Sequence, residues 1–327
     1  MASGCNLTEG IFKDRDISND EMWAIFNHVF SNQTKNTASY KFGFFKSLLD
    51  SLYNVDAELS LSFDTIFSKF TEIYWNIVLK HKLRQIDGRG ISAIESILET
   101  AANEWCGDTH IIFEKLPATA QLSIVKRVKA KCRRYVVGAF FVDTSSLLYS
   151  FSLKTETLKF NPQLYSFICR HKVTLEKLNY YEWAKFLERV NDNAETSLLL
   201  LKIDESTKRN NLDYYRQILF KEFEDHTCFY CGRKLNNSGI HVDHFIPWSF
   251  IKDDNLWNFV LSCPKCNTSK NDRLASQHYL ETLIERNSRI SIPMCSIEMK
   301  NYSEAKLASI YHWAIDNGYN RIWNPTI

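Results

Sequence analysis

Four neighbouring stretches decide the reading: Cys228-Phe-Tyr-Cys231, Ile240-His-Val-Asp-His-Phe-Ile-Pro247, Asn258-Phe-Val-Leu-Ser262 and Cys263-Pro-Lys-Cys266-Asn267. Cys228, Cys231, Cys263 and Cys266 form two C-x-x-C pairs, and four soft thiolates at this local spacing suit a closed, structural zinc site. The segment between the pairs, Gly232 to Ser262, is longer than a simple zinc ribbon needs, so something further is built into the loop. It carries hard donors. Asp243 offers a carboxylate and Asn267 a carbonyl oxygen, ligand types that magnesium accepts while keeping waters for a phosphate and a nucleophile. His244 sets an imidazole, which ordinarily titrates near neutrality, beside that carboxylate, where it can take a proton from water.

Neither half of the set decides alone. A knuckle of four cysteines is often only a folding staple or binding finger, and a short Asp-His pair before Pro often marks only a turn. It is the ordered series of Cys pair, Asp-His, Asn and Cys-x-x-Cys-Asn that carries weight. At these residues the chain resembles the HNH, or His-Me finger, nuclease superfamily, whose fold is two strands and a helix clasping one divalent metal. The stretch from His241 to Asn267 also looks like the HNH domain of the RNA-guided CRISPR nucleases, with zinc knuckles of the sort seen in restriction-type HNH enzymes. The resemblance implies that His244 activates the attacking water and that Asp243 with Asn267 holds magnesium or manganese against the scissile phosphate. It further implies that Asn258 is a scaffold residue whose amide bonds backbone across the loop, and that products carry 5′-phosphates.

Neighbouring residues carry weaker signals. His241 shares a strand face with Asp243, as an auxiliary ligand or substrate contact on one reading and a partly buried histidine on the other. Lys270, three residues after Asn267, reads either as a phosphate contact at a helix start or as a solvated lysine. Lys126, Arg127, Lys129, Lys131, Arg133 and Arg134 interleave with Leu122, Val125 and Val128, so a helix there is apolar on one side and basic on the other. Lys126, Lys129 and Arg133 are its candidate phosphate contacts, against the alternative of a solvated face.

With 327 residues, 45% of them hydrophobic, the chain can bury a sizeable core, and one large plus one small domain is the natural division. The net charge of +2 gives no global pull toward nucleic acid. The sequence holds no apolar run of membrane-spanning length, and Met1-Ala-Ser-Gly-Cys5 lacks signal-peptide order, which makes a cytoplasmic location the expectation. Cys5, Cys106, Cys132, Cys169 and Cys295 follow no pairing pattern and read as reduced thiols.

Apolar periodicity predicts helices over Tyr40 to Leu52, Phe63 to Val78 and Ile94 to Trp105, with Pro117 opening the basic helix. Tyr135 to Phe141, Leu147 to Phe151 and Leu158 to Phe160 read as short strands of a meander. Thr174 reads as the cap of a following helix, and a connecting helix is expected over about 204–225. After Asn267 one more helix is expected to about Glu285, then a polar turn through Asn287-Ser288 with Pro293, then a closing helix from Ser303 to Asn317 before Gly318.

The expected fold class is thus α+β and mainly helical. Residues 1–203 form a helical recognition or docking domain with a small β-meander, 204–285 a connecting helix and a ββα-metal HNH domain stapled by the four-cysteine zinc site, and 286–327 a helical extension. The expected function is metal-dependent endonucleolytic cleavage of DNA by a bacterial restriction or phage-defence effector, with structural zinc and catalytic magnesium or manganese. The alternatives are an RNA-cleaving nuclease or toxin, and a catalytically silent zinc-stapled adaptor. The expected partners are nucleic acid, DNA ahead of RNA, and a protein of a defence system, with no membrane. Cutting both strands from one active site also calls for a homodimer or two sequential nicks.

Overall fold

The computed structural model describes residues 4–31, 34, 37–88, 90–107, 111–192, 196–207, 211–223, 225–236, 239–290 and 298–326. Met1 to Ser3, Pro293 and Cys295 lie outside the described residues. The chain divides into two compact units, Met1–Lys208 and Arg209–Ile327.

The first unit is built on helices α1 (Asn19–Phe30), α2 (Tyr40–Asp50), α3 (Phe63–Trp75), α4 (Ala93–Trp105), α5 (Ala118–Asp143), α6 (Pro162–Val190) and α7 (Leu199–Asp204). Beside them lies an antiparallel sheet of β1 (Glu9–Gly10), β2 (Ser60–Ser62), β3 (Tyr149–Ser152) and β4 (Thr157–Phe160), in the order β1-β3-β4-β2. Aromatic side chains fill its core: Phe44 packs on Phe67, Phe140 and Tyr149, and Tyr74 on Phe70 and Trp183. The α2 helix comes so close to α3 that a Cβ at Gly43 would fall 2.2 Å from the Tyr74 ring, which only glycine avoids.

Packing overrides the local signals at two places in this unit. Tyr135 to Phe141 is not a strand but the last part of α5, where Val136, Val137, Phe140 and Phe141 face the core. β-branched and aromatic residues fit a buried helix side equally well once packing decides. Nor is Thr174 a cap: Asn161 caps α6 by accepting from the Gln163 amide, Pro162 sits in the first turn, and the helix runs past Thr174 with a kink at His171 (φ −117°, ψ 18°). The His171 ring there packs against Trp23 and Phe167.

The second unit holds α8 (Asp213–Glu222), β5 (His241–His244), α9 (Trp248–Ile251), β6 (Phe259–Ser262), α10 (Pro264–Lys270), α11 (Gln277–Ser288) and α12 (Glu304–Asp316). The connecting helix expected over 204–225 therefore begins only at Asp213, after the separate α7. β5 and β6 pair antiparallel, with Asp243 opposite Val260 and His244 opposite Phe259. Ile218 and Leu219 of α8 cluster with Leu256, Phe259 and Leu261, and Ile240 and Val242 pack against this cluster. Alternation along the strand then turns His241 and Asp243 to the other face, where α10 lies. The single helix expected after Asn267 to about Glu285 is interrupted: α10 ends at Lys270, Asn271 adopts φ 46° and breaks the chain direction, and α11 starts at Gln277. Ser303 caps α12, and Gly318 follows its end with φ 97°.

Candidate active site

The two cysteine pairs converge. Gly232 takes φ 68°, which lets the Cys228 amide donate to the Arg233 carbonyl (2.8 Å) and tightens the first knuckle. The second knuckle opens α10, with Cys263 as its N-cap and the Cys266 amide donating to the Cys263 sulfur. The Phe229 amide donates to the Leu261 carbonyl (2.9 Å), tying the first knuckle to β6. All four sulfurs lie within 4.8 Å of one another. The Cys231 and Cys263 sulfurs are 3.9 Å apart, close to the roughly 3.8 Å that tetrahedral bonds of ~2.3 Å impose. The cluster can hold one tetrahedral metal with no open position.

Between the cysteines of the first knuckle stands Tyr230, which donates its hydroxyl to Oδ2 of Asp243 (2.5 Å). Burial, and then the Asp243 carboxylate, hold its phenol well above the ordinary value, so the hydroxyl stays a donor. Lys270 reaches the same oxygen at 3.0 Å and donates to the His244 carbonyl at 2.7 Å. Its side chain is 0% exposed, so Lys270 is neither a solvated lysine nor a surface phosphate contact. It is a buried counter-charge that anchors β5 to α10.

His244 is buried at 7% exposure. Its Nε2 lies 2.9 Å from Oδ1 of Asp254, and its ring meets Phe259 edge-on with centroids 4.6 Å apart. Asn258 is fully buried and spans the motif loop: its Oδ1 accepts from the Ile246 amide (2.8 Å) and its Nδ2 donates to the Ile246 carbonyl (2.9 Å). On α10, the Asn267 amide nitrogen donates to Nδ1 of His241 (2.9 Å), and His241 is exposed. Asp243, His241 and Asn267 thus share the α10 side of β5, while the His244 ring packs with Phe259 and Asp254, and Asn258 closes the loop. Tyr230 and Lys270 both use Oδ2 of Asp243, which leaves Oδ1 to donate to a cation, and the Asn267 carbonyl oxygen is the second hard donor.

Residues 228–276 match the family model of an HNH endonuclease. The C-terminal unit therefore carries an HNH domain of the zinc-knuckle type. Comparison of the chain with curated proteins and with solved structures returned no match. Two residues that contact the HNH set, Tyr230 and Asp254, went unread in the sequence. The only signals for them were an aromatic inside a C-x-x-C pair and the acidic turn Asp253-Asp254-Asn255 inside the motif loop.

The basic helix belongs to the first unit. Arg127 pairs with Glu104, Lys129 with Asp64 and Glu156, and Arg133 with Glu156. Lys126, Lys131 and Arg134 are exposed. Among the described residues no helix is long and apolar enough to cross a membrane.

Proposed function

We propose that the C-terminal unit hydrolyses phosphodiester bonds in DNA, and that the protein serves bacterial restriction or phage defence. The observation that carries this reading is the placing of a buried, hydrogen-bonded His244 beside Asp243, with Asn267 facing the same strand from α10. His244 takes the proton of the attacking water. Asp243 and Asn267 hold magnesium or manganese, which fit because both donors are hard oxygens and Lys270 already offsets part of the carboxylate charge. When bound, that ion neutralises charge on the phosphate and the leaving oxygen. The four thiolates hold zinc, whose role is to fold the domain. Asn258 keeps the loop closed so that the imidazole stays aimed. His241, the exposed partner of Asn267, lies at the rim as a substrate contact. The first unit selects the substrate or docks a defence partner, and a second copy of the chain or two successive nicks completes a double-strand cut.

The test is an assay of purified, zinc-replete protein on plasmid, single-stranded DNA and RNA, with magnesium, manganese or chelator. DNA cleavage that needs the added metal, leaves 5′-phosphates and falls at least ~1,000-fold in His244→Ala supports the reading. Cleavage confined to RNA moves the substrate to the RNA class. No cleavage of any substrate, with native partners supplied, leaves the zinc-stapled adaptor.

A further inference from the structure

His244 has two ring nitrogens, and a neutral imidazole can act on water only through the one that carries no hydrogen. Which nitrogen that is depends on what the other one meets. In this domain Nε2 meets Oδ1 of Asp254 at 2.9 Å, with both side chains less than a tenth exposed. A carboxylate accepts hydrogen bonds and cannot donate them. Nε2 therefore bears a hydrogen, and in the neutral ring the lone pair stands on Nδ1.

Several contacts hold Asp254 in place. After α9, Lys252 adopts φ 59°, which reverses the chain, and its ammonium lies 4.9 Å over the Trp248 ring. Asn255 is extended (φ −129°, ψ 125°) and returns the chain to the short helical turn at Leu256–Asn258. The Asp254 backbone carbonyl accepts from the Tyr215 hydroxyl of α8 (3.3 Å). Asp254 is thus gripped by its backbone from one helix while its carboxylate grips the ring. The ring's remaining freedom is limited by Phe259 on its edge and by Lys270 on the His244 carbonyl.

We infer that Asp254 is the positioning residue of this site: it fixes His244 in the Nε2-protonated form, leaving Nδ1 as the atom that receives the proton from water. The inference rests on the nuclease reading only for what Nδ1 does, not for which nitrogen is protonated. A purely structural Asp254 would lend stability but would not select a ring form.

The test uses the full-length, zinc-replete protein with ¹⁵N-labelled histidine, in mildly alkaline buffer, the His244 signals being assigned by their loss in His244→Gln. Long-range ¹⁵N–¹H correlation of the parent is expected to show His244 protonated at Nε2. Protonation at Nδ1 in the parent overturns the proposal without any variant having to fold. In Asp254→Asn the side-chain amide can donate to Nε2, and the spectrum is expected to shift toward Nδ1 protonation. In that variant kcat should fall about 10- to 100-fold with little change in KM. Asp254→Glu, which keeps an acceptor, should recover part of the loss. A folded Asp254→Asn with the parent's ring form and the parent's kcat reduces Asp254 to a structural role. If the parent cuts no substrate, the nuclease reading fails, while the spectra still decide which form Asp254 selects.

Discussion

Each unit of this protein buries a lysine–aspartate pair together with a tyrosine hydroxyl, and the two clusters have different surroundings. In the first unit, Lys46 bonds Asp50 (2.9 Å) and the Tyr180 hydroxyl (2.8 Å), Thr207 closes on Asp50 (3.0 Å), and Glu176 completes the ring. In the second, Lys270 and Tyr230 converge on Asp243. In the first cluster the Lys46 and Asp50 side chains are fully buried. The second adjoins the exposed His241 and the Asn267 carbonyl and continues along the strand into His244. Residue type and burial are alike, so neither marks a site. What separates them is that Asp243 stands next to donors that reach solvent, His241 and Asn267.

The strongest way to break the comparison is to remove the sulfur site. Cys228→Ser is expected to unfold much of 211–326, since zinc in such knuckles contributes about 10–16 kcal/mol in peptides. The first unit, whose core contains no such site among its described residues, should keep its hydrogen-exchange protection. Parallel loss of protection in both units would show that the two are not independent in stability.

Next come the lysines. Lys46→Met and Lys270→Met should each cost about 3–5 kcal/mol in denaturant unfolding, because each leaves a buried carboxylate without its counter-charge. The double variants separate the clusters. Lys46→Met with Asp50→Leu should recover stability and retain cleavage, whereas Lys270→Met with Asp243→Leu should recover stability and remain inactive. An active second double variant would remove Asp243 from the proposed metal site.

An effect of the same order, but spread over several pH units, is expected from pH on the first unit. Burial raises the Glu72 carboxyl from 4.5 to about 8, with Lys69 opposing the shift and Glu114 adding to it. The folded form then holds a proton that the unfolded form releases, so this contribution is fully present below pH ~4.5 and is lost as pH rises toward about 8. Its slope reaches about 1.4 kcal/mol per pH unit. Glu72→Gln should flatten it, as urea midpoints at several pH values would show.

The smallest effects belong to the basic helix. Lys129→Ala and Arg133→Ala should cost about 1 kcal/mol or less, since their partners are largely at the surface. If the helix tracks phosphates, Lys126→Glu with Arg134→Glu should weaken binding and reduce the salt slope by about one for each phosphate no longer neutralised. An unchanged slope makes this a solvated face.

The HNH stretch was legible because its chemistry is written in order: cysteine pairs, Asp243-His244, Asn258 and Asn267 all lie within about forty residues of one another, and spacing alone groups them. The residues that complete it were not. Lys270 reads like any helix lysine until β5 is placed against α10, and Asp254 reads like a turn residue until Lys252 reverses the chain. The misread Tyr135 to Phe141 has the same cause at larger scale. Its composition is that of a strand, and only the core around Phe44 and Tyr149 makes it the end of α5.

Tyr230 sets the limits of any transplantable version of this site. Its backbone carbonyl accepts from the Tyr279 hydroxyl (2.9 Å), and its ring lies edge-on to Trp323 at 5.0 Å. Trp323 itself is laced to the chain at Leu274, where its amide donates to the carbonyl (2.7 Å). Both clamps stand beyond residue 276, the end of the matched segment. An excised 228–276 fragment would keep every letter of the motif and lose the vice that holds Asp243, so the smallest portable cassette runs on through the tail to Trp323.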